Sequence, residues 1–154
     1  MSYPVFISYS TLDLAVAKSL REWLNSAGAS VFLAEYSVQP SQPLSANIAN
    51  AIRGCDLFIL LWSSNAKTSE WVPQEIGIAK GAQKPIMPVI LHAGIELPGF
   101  IRDLKYLELY KNPQAATQWL RNFVMTQQKK KEADTLMLFG IAGAIVIALL
   151  AGSK

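Results

Sequence analysis

Two rhythms of apolar residues alternate along residues 1–128 of the chain. One is the short unbroken run, seen at Pro4–Tyr9, Ser30–Leu33, Asp56–Ser63, Pro85–Leu91 and, more weakly, Tyr106–Leu109. Runs such as LFILLW and IMPVIL are apolar at every position, so both of their faces need cover, as in strands inside a parallel sheet. The other rhythm repeats every three to four residues. Leu12–Ala27 puts Leu12, Val16, Leu20, Trp23 and Leu24 on one side of a helix, with Gly28 placed to end it. Leu44–Arg53 carries Leu44, Ile48, Ala51 and Ile52; Glu70–Lys80 stops at Gly81; Asn112–Val124 groups Ala115, Ala116, Trp119, Leu120 and Phe123. Strand and helix in alternation predict an α/β fold: a five-stranded parallel sheet with helices on both faces.

The pattern breaks near residue 127. Residues 127–134 hold Lys129, Lys130, Lys131, Glu132 and Asp134 and show no apolar period, which predicts a charged linker after a globular part spanning residues 1–126. Residues 135–152, TLMLFGIAGAIVIALLAG, carry no charge. Eighteen helical residues at about 1.5 Å each reach roughly 27 Å, close to the ~30 Å of a bilayer's hydrocarbon core. The expectation is a single transmembrane helix acting as a C-terminal anchor. Three lysines precede it and only Lys154 follows, so the positive-inside bias keeps residues 1–134 in the cytoplasm, at the cell membrane. Gly140, Ala144, Ala148 and Gly152 recur every fourth residue, a spacing that suits close helix pairing.

Composition narrows the function. With 154 residues, 51% hydrophobic and 16% charged, the chain holds one domain and an appendage. Of its net charge of +3, residues 1–128 carry +1, too little for a strongly basic nucleic-acid face. One cysteine, Cys55, excludes an internal disulfide, and Cys55 with the single His92 cannot build a zinc site; a reducing compartment is expected.

Ligands of open α/β sheets bind beyond the carboxyl ends of the strands. That selects Ser8 to Thr11 after the first strand, Ala34 to Pro43 after the second, Trp62 to Asn65 after the third and His92 after the fourth. The chain has no G-x-G-x-x-G after its first strand, no P-loop and no G-x-S-x-G, and it lacks the acidic strand ends of a phosphoacceptor. His92 has no evident nucleophile partner and is expected to be an ordinary loop histidine. There remains SEWVPQE, residues 69–75. Ser69 suits an N-cap, and Pro73 is tolerated only near a first turn, so a helix is expected to start around Glu70. Trp71 and Glu75, four apart, then share a face, setting an aromatic plate beside a carboxylate, an arrangement that suits a flat cationic ring.

Taken in order, these segments resemble TIR (Toll/interleukin-1 receptor) domains, and bacterial members in particular. VFISYS at Val5–Ser10 resembles the family's first box. Val31–Ile52 is similar to its second strand, BB loop and following helix, and DLFILLWSSN at Asp56–Asn65 to its third strand. SEWVPQEIGIAKGAQKPIMPVI resembles the W-x-x-x-E helix with the fourth strand, and ELPGFIRDLKYLEL the closing segment. The likeness covers roughly residues 3–125, and it implies a flavodoxin-like fold.

It also implies an activity: cleavage of NAD+ at the nicotinamide–ribose bond, by a glycohydrolase or a cyclase, with NAD+ as substrate and neither cofactor nor metal. The family's catalytic glutamate falls on Glu75 and its aromatic partner on Trp71. Dinucleotide contacts fall on Ser10, Thr11 and, in the BB loop, Gln39, with Tyr9 and Trp62 as neighbours on the same rim. Two departures bear on substrate positioning: Ala34 stands where the family often has Asp, and Pro40-Ser41 where it has Pro-Gly. The implied setting is bacterial antiphage signalling, with activity appearing when TIR domains self-associate at the membrane. The competing expectation is a non-catalytic adaptor that recruits other TIR domains through its BB loop.

Overall fold

All five strands form where apolar runs predict them. The computed structural model describes residues 2–34 and 45–152, with side chains through residue 138. The strands are β1 (Tyr3–Ser8), β2 (Ala29–Leu33), β3 (Leu57–Trp62), β4 (Ile86–Ile90) and β5 (Leu107–Glu108), all parallel, in the order β2-β1-β3-β4-β5. Every residue of β3 is buried, which accounts for its unbroken apolar run. Helices α1 (Leu14–Ser26), α2 (Ala46–Gly54), α3 (Ser64–Lys67), α4 (Val72–Gly81) and α5 (Pro113–Gly152) connect or follow them.

Period two along the strands sorts the core into two layers. Val5, Ile7, Leu57, Ile59 and Leu61 pack beneath α1 and α5, through Ala17, Leu20, Leu24, Leu120 and Val124. Phe6, Phe58, Leu60 and Trp62 face the other way, against Ile48 and Ile52 of α2 and Val72, Ile76 and Ala79 of α4. Phe6 stacks between Phe32 and Phe58, with ring centroids 5.5 and 5.4 Å away. Each fully buried side chain of this kind contributes about 1.5–3 kcal/mol, so both faces of the sheet resist separation from their helices.

Four features depart from the sequence reading. The helix after β1 opens with a 3-10 turn, Thr11–Asp13, before α1. The helix expected from Glu70 begins at Val72, with Trp71 as its cap residue, and the Ser69 hydroxyl accepts the N–H groups of Trp71 and Val72. A single 3-10 turn, Gly99–Ile101, lies between β4 and β5. Finally, residues 127–134 are helical, so α5 runs without interruption from Pro113 to Gly152. Among the described residues, no helix is long and apolar enough to cross a membrane. Most of the expected span, from residue 139 on, lies outside the described side chains, as does the spacing of small residues within it.

Because the strands are parallel, their carboxyl ends share one end of the domain, here the upper end, and their amino ends the other. Helices α1, α2 and α4 start at the upper end and descend.

Candidate functional site

The chain leaves β1 towards β2 and then returns to lay β3 on the other side of β1. The crevice beyond the carboxyl ends of β1 and β3 is therefore the point where strand order reverses, the usual ligand position of such sheets. β1 delivers Ser8 to this crevice, and the first turn of α4 delivers Glu75. Val72, Glu75, Ile76 and Ala79 form the stripe by which α4 meets the sheet, so the carboxylate occupies a core position and is fully buried. Ser8 shares the parity of Phe6, which turns it toward α4; its hydroxyl, itself fully buried, donates to Glu75 Oε1 at 2.6 Å. A hydrogen-bond partner is what such a burial requires.

The other expected site residues divide into three groups. Trp71 stands half-buried one turn before Glu75, whose backbone N–H donates to the Trp71 carbonyl at 3.0 Å. Ser10 caps the 3-10 turn, its hydroxyl accepting the Leu12 N–H at 3.3 Å, while Thr11 is exposed at the mouth. Tyr9 and Trp62, expected on the rim, are set back in the core. Tyr9 has the opposite parity to Ser8, packs on the α1 and α5 side, and donates its hydroxyl to the Ala34 carbonyl at 2.5 Å. Trp62 packs on the α2 and α4 side, and its indole N–H donates to the Glu96 carbonyl at 2.8 Å. Each holds the segment after a neighbouring strand, and both are buried. Gln39, with Glu35, Tyr36, Pro40 and Ser41, lies outside the described residues.

The sequence reading passed over two participants. Ser8 was grouped with its neighbours without being paired to Glu75, although strand parity and the 72/75/76/79 stripe would have faced the two together. Asp13 was not singled out at all. Its Oδ2 accepts from the Ser63 hydroxyl at 2.5 Å and its Oδ1 from the Asn65 amide at 3.0 Å, so it ties the turn after β1 to the turn after β3 across the crevice. With both oxygens so engaged, Asp13 acts as a brace. His92 also has a structural partner: its Nε2 accepts the Ser64 N–H at 2.9 Å, which occupies the lone pair a general base would need.

Burial, then the nearby Asp56, pushes the Tyr3 hydroxyl up to about 12, and burial raises the Cys55 thiol.

Comparison with known proteins agrees with this fold. The TIR domain family model matches residues 5–123. The chain is 32% identical over 106 residues to the Brachypodium distachyon protein named "Probable 2' cyclic ADP-D-ribose synthase BdTIR", covering 66% of this chain and 47% of that protein, so it spans about half the relative's length. Among solved structures, the TIR domain of the Toll-related receptor TRR-2 from Hydra magnipapillata superposes with a TM-score of 0.63 at 24% identity, over 79% of this chain and 95% of that one. A metazoan TIR-STING receptor from C. gigas superposes with a TM-score of 0.57 at 26% identity, over 75% and 39% of the two chains. On the family match and on the order of its strands, the chain belongs to the TIR domain family.

Proposed function

We propose that this TIR domain cleaves NAD+ at the bond between nicotinamide and ribose, with Glu75 as the catalytic group. One observation carries the reading: a carboxylate in the buried stripe of α4, held by the Ser8 hydroxyl at 2.6 Å, at the point where strand order reverses. The Brachypodium relative, named a "Probable 2' cyclic ADP-D-ribose synthase", supports NAD+ as the substrate class. The chemistry suits so sparse a site. Nicotinamide in NAD+ is a pyridinium cation and departs neutral, so no general acid is required, whereas ordinary glycosidases need a second carboxyl for theirs. Glu75 holds the ribose hydroxyls and stabilises the positive charge that develops on the sugar, an effect strengthened by low-dielectric surroundings. Trp71 packs against the nicotinamide ring, Ser10, Thr11 and Gln39 contact the dinucleotide, and Tyr9 and Trp62 fix the strand ends from beneath. Water capture of C1′ gives ADP-ribose; capture by a nucleophile of the same molecule gives a cyclic product.

Glu75 is fully covered in the single chain, which supports activity arising when neighbouring TIR domains rearrange the rim. We place this self-association at the membrane, with residues 135–152 as anchor, the TIR domain in the cytoplasm and antiphage signalling as the setting. The test is NAD+ consumption by the intact chain in nanodiscs, beside Glu75→Ala, with the products separated by chromatography. Turnover lost in the variant is the expected result, and the product peak assigns hydrolysis or cyclisation. A folded, clustered wild type without turnover would leave the adaptor role instead.

A further inference from the structure

The lower end of the domain is as distinctive as the upper one. Helix α5 starts just past β5 at the upper end, lays Leu120 and Val124 on the sheet and leaves at the lower end. There it is gripped twice. Lys131 Nζ lies 2.6 Å from Oδ2 of Asp56, the residue that precedes β3. The Gln128 side chain fills the space beside Gly28, where an added Cβ would come within 2.1 Å of its Oε1. Just beyond this grip, Leu136, Met137 and Leu138 are 71, 68 and 69% exposed. Successive helical residues are about 100° apart, so three in a row show apolar side chains around most of the helix and suit an apolar medium better than one protein partner. Around the exit, Arg53 sits in the last turn of α2, Lys84 leads into β4, and Lys129 and Lys130 sit on α5. None of the four has an anionic partner among the described residues, where ion pairs join Glu96, Glu108 and Asp56 to other cations. Asp56, Asp103, Glu132 and Asp134 lie at the same end, four acidic groups against six basic ones once Lys80 and Lys131 are included.

We propose that this lower end is a docking face for an anionic bilayer surface, with α5 as a strut that carries the domain upright and turns the Glu75 crevice away from the lipid. The inference rests on the membrane anchoring proposed above and adds the surface, the headgroup charge and the orientation. Basic side chains near an anionic leaflet are attracted to it over roughly a Debye length, ~8 Å at physiological salt, so only cations held at the lower end contribute. An upright domain also leaves its flanks open to neighbouring domains in the same plane.

The test uses the intact chain in nanodiscs containing a nickel-chelating lipid, with a nitroxide at Gly81→Cys (lower end, where an added Cβ meets nothing within 4 Å) or at Lys67→Cys on exposed α3 (upper end). In nanodiscs containing phosphatidylglycerol the Gly81 label is expected to relax several-fold faster than the Lys67 label. Arg53→Glu with Lys84→Glu leaves α5 untouched and should reduce that contrast to its value in phosphatidylcholine alone. Equal relaxation at the two labels, or a contrast indifferent to lipid charge and to the double substitution, would overturn the docking face. Failure of the anchoring itself has a separate signature, release of the unlabelled chain from vesicles on alkaline washing.

Discussion

Removing the Ser8 hydroxyl isolates the interaction on which the candidate site depends. Both partners are fully buried and 2.6 Å apart, so water cannot replace the donor without entering the layer between β1 and α4. Hydrogen bonds to charged groups contribute about 1.5–3 kcal/mol net, and Ser8→Ala should lower unfolding stability by about that amount. Replacing both groups by apolar ones of similar shape can be nearly neutral. Glu75→Met combined with Ser8→Ala should therefore recover most of the loss, and the two substitutions should couple by more than ~1 kcal/mol, well above the ~0.3–0.5 kcal/mol scatter of independent sites. Urea unfolding of the four proteins, followed by tryptophan fluorescence, gives the cycle directly. On the proposed activity, Ser8→Ala should also reduce turnover about ten- to hundredfold if the whole bond energy acts in the transition state, and Ser8→Thr should restore part of it. A Ser8→Ala chain as stable as wild type, or strict additivity with Glu75→Met, would refute the claim that the hydroxyl holds the carboxylate.

Three further outcomes are expected. Gly28 has φ +96° and contacts Gln128, so Gly28→Ala should cost about 1–3 kcal/mol through backbone strain and steric conflict; adding Gln128→Ala should return the steric part alone in thermal melts. The Tyr3 hydroxyl, raised from 10 to about 12, stays neutral in the folded chain after its unfolded counterpart has ionised. Its contribution to stability is thus complete below pH 10 and is lost as the pH climbs from 10 towards 12; Tyr3→Phe should move the alkaline unfolding midpoint upward. The buried Cys55 thiol, whose ionisation burial opposes, should react with iodoacetamide far more slowly in the native chain than in urea, as mass spectrometry would show.

How far the sequence could be read follows from what each element depends on. β1 to β4 were legible within a residue or so because a strand buried on both faces must be apolar throughout, and no other short element needs that. β5 pairs over two residues at the sheet edge, so its apolar signal was correspondingly weak. The helical state of residues 127–134 was not legible for the opposite reason. Gln, Lys, Glu and Ala are good helix formers, and the helix continues there on propensity with little packing, so no apolar period marks it. Glu75 and Trp71 were legible as a pair on one turn. The recessed position of Tyr9 followed from strand parity, which an inventory of residues beyond each strand ignores, whereas Trp62 shares the α4 side with Ser8 and is held there by the Glu96 carbonyl. Asp13 was not legible: its partners are 50 and 52 residues away, and only the sheet order brings them together.

A carboxylate within the stripe Val72, Glu75, Ile76, Ala79 contradicts the helix's own pattern, and it is this contradiction that gives the site its meaning. An apolar residue at 75 would complete the contact of α4 with Phe6, Leu60 and Trp62 without a dedicated hydroxyl on β1. Instead a serine closes an otherwise apolar strand, and its position matches the glutamate in parity and level. Two local exceptions joined by a 2.6 Å hydrogen bond are not needed by the fold, which α4 could secure with aliphatic contacts alone. Sites that break local rules and are compensated nearby are where function concentrates. If the pair were structural, Glu75→Met with Ser8→Ala would be a conservative repacking with no further consequence. On the proposed reading the same double variant remains folded, retains the brace between Asp13, Ser63 and Asn65, and loses NAD+ turnover altogether, which separates the fold's requirement at this position from the reaction's.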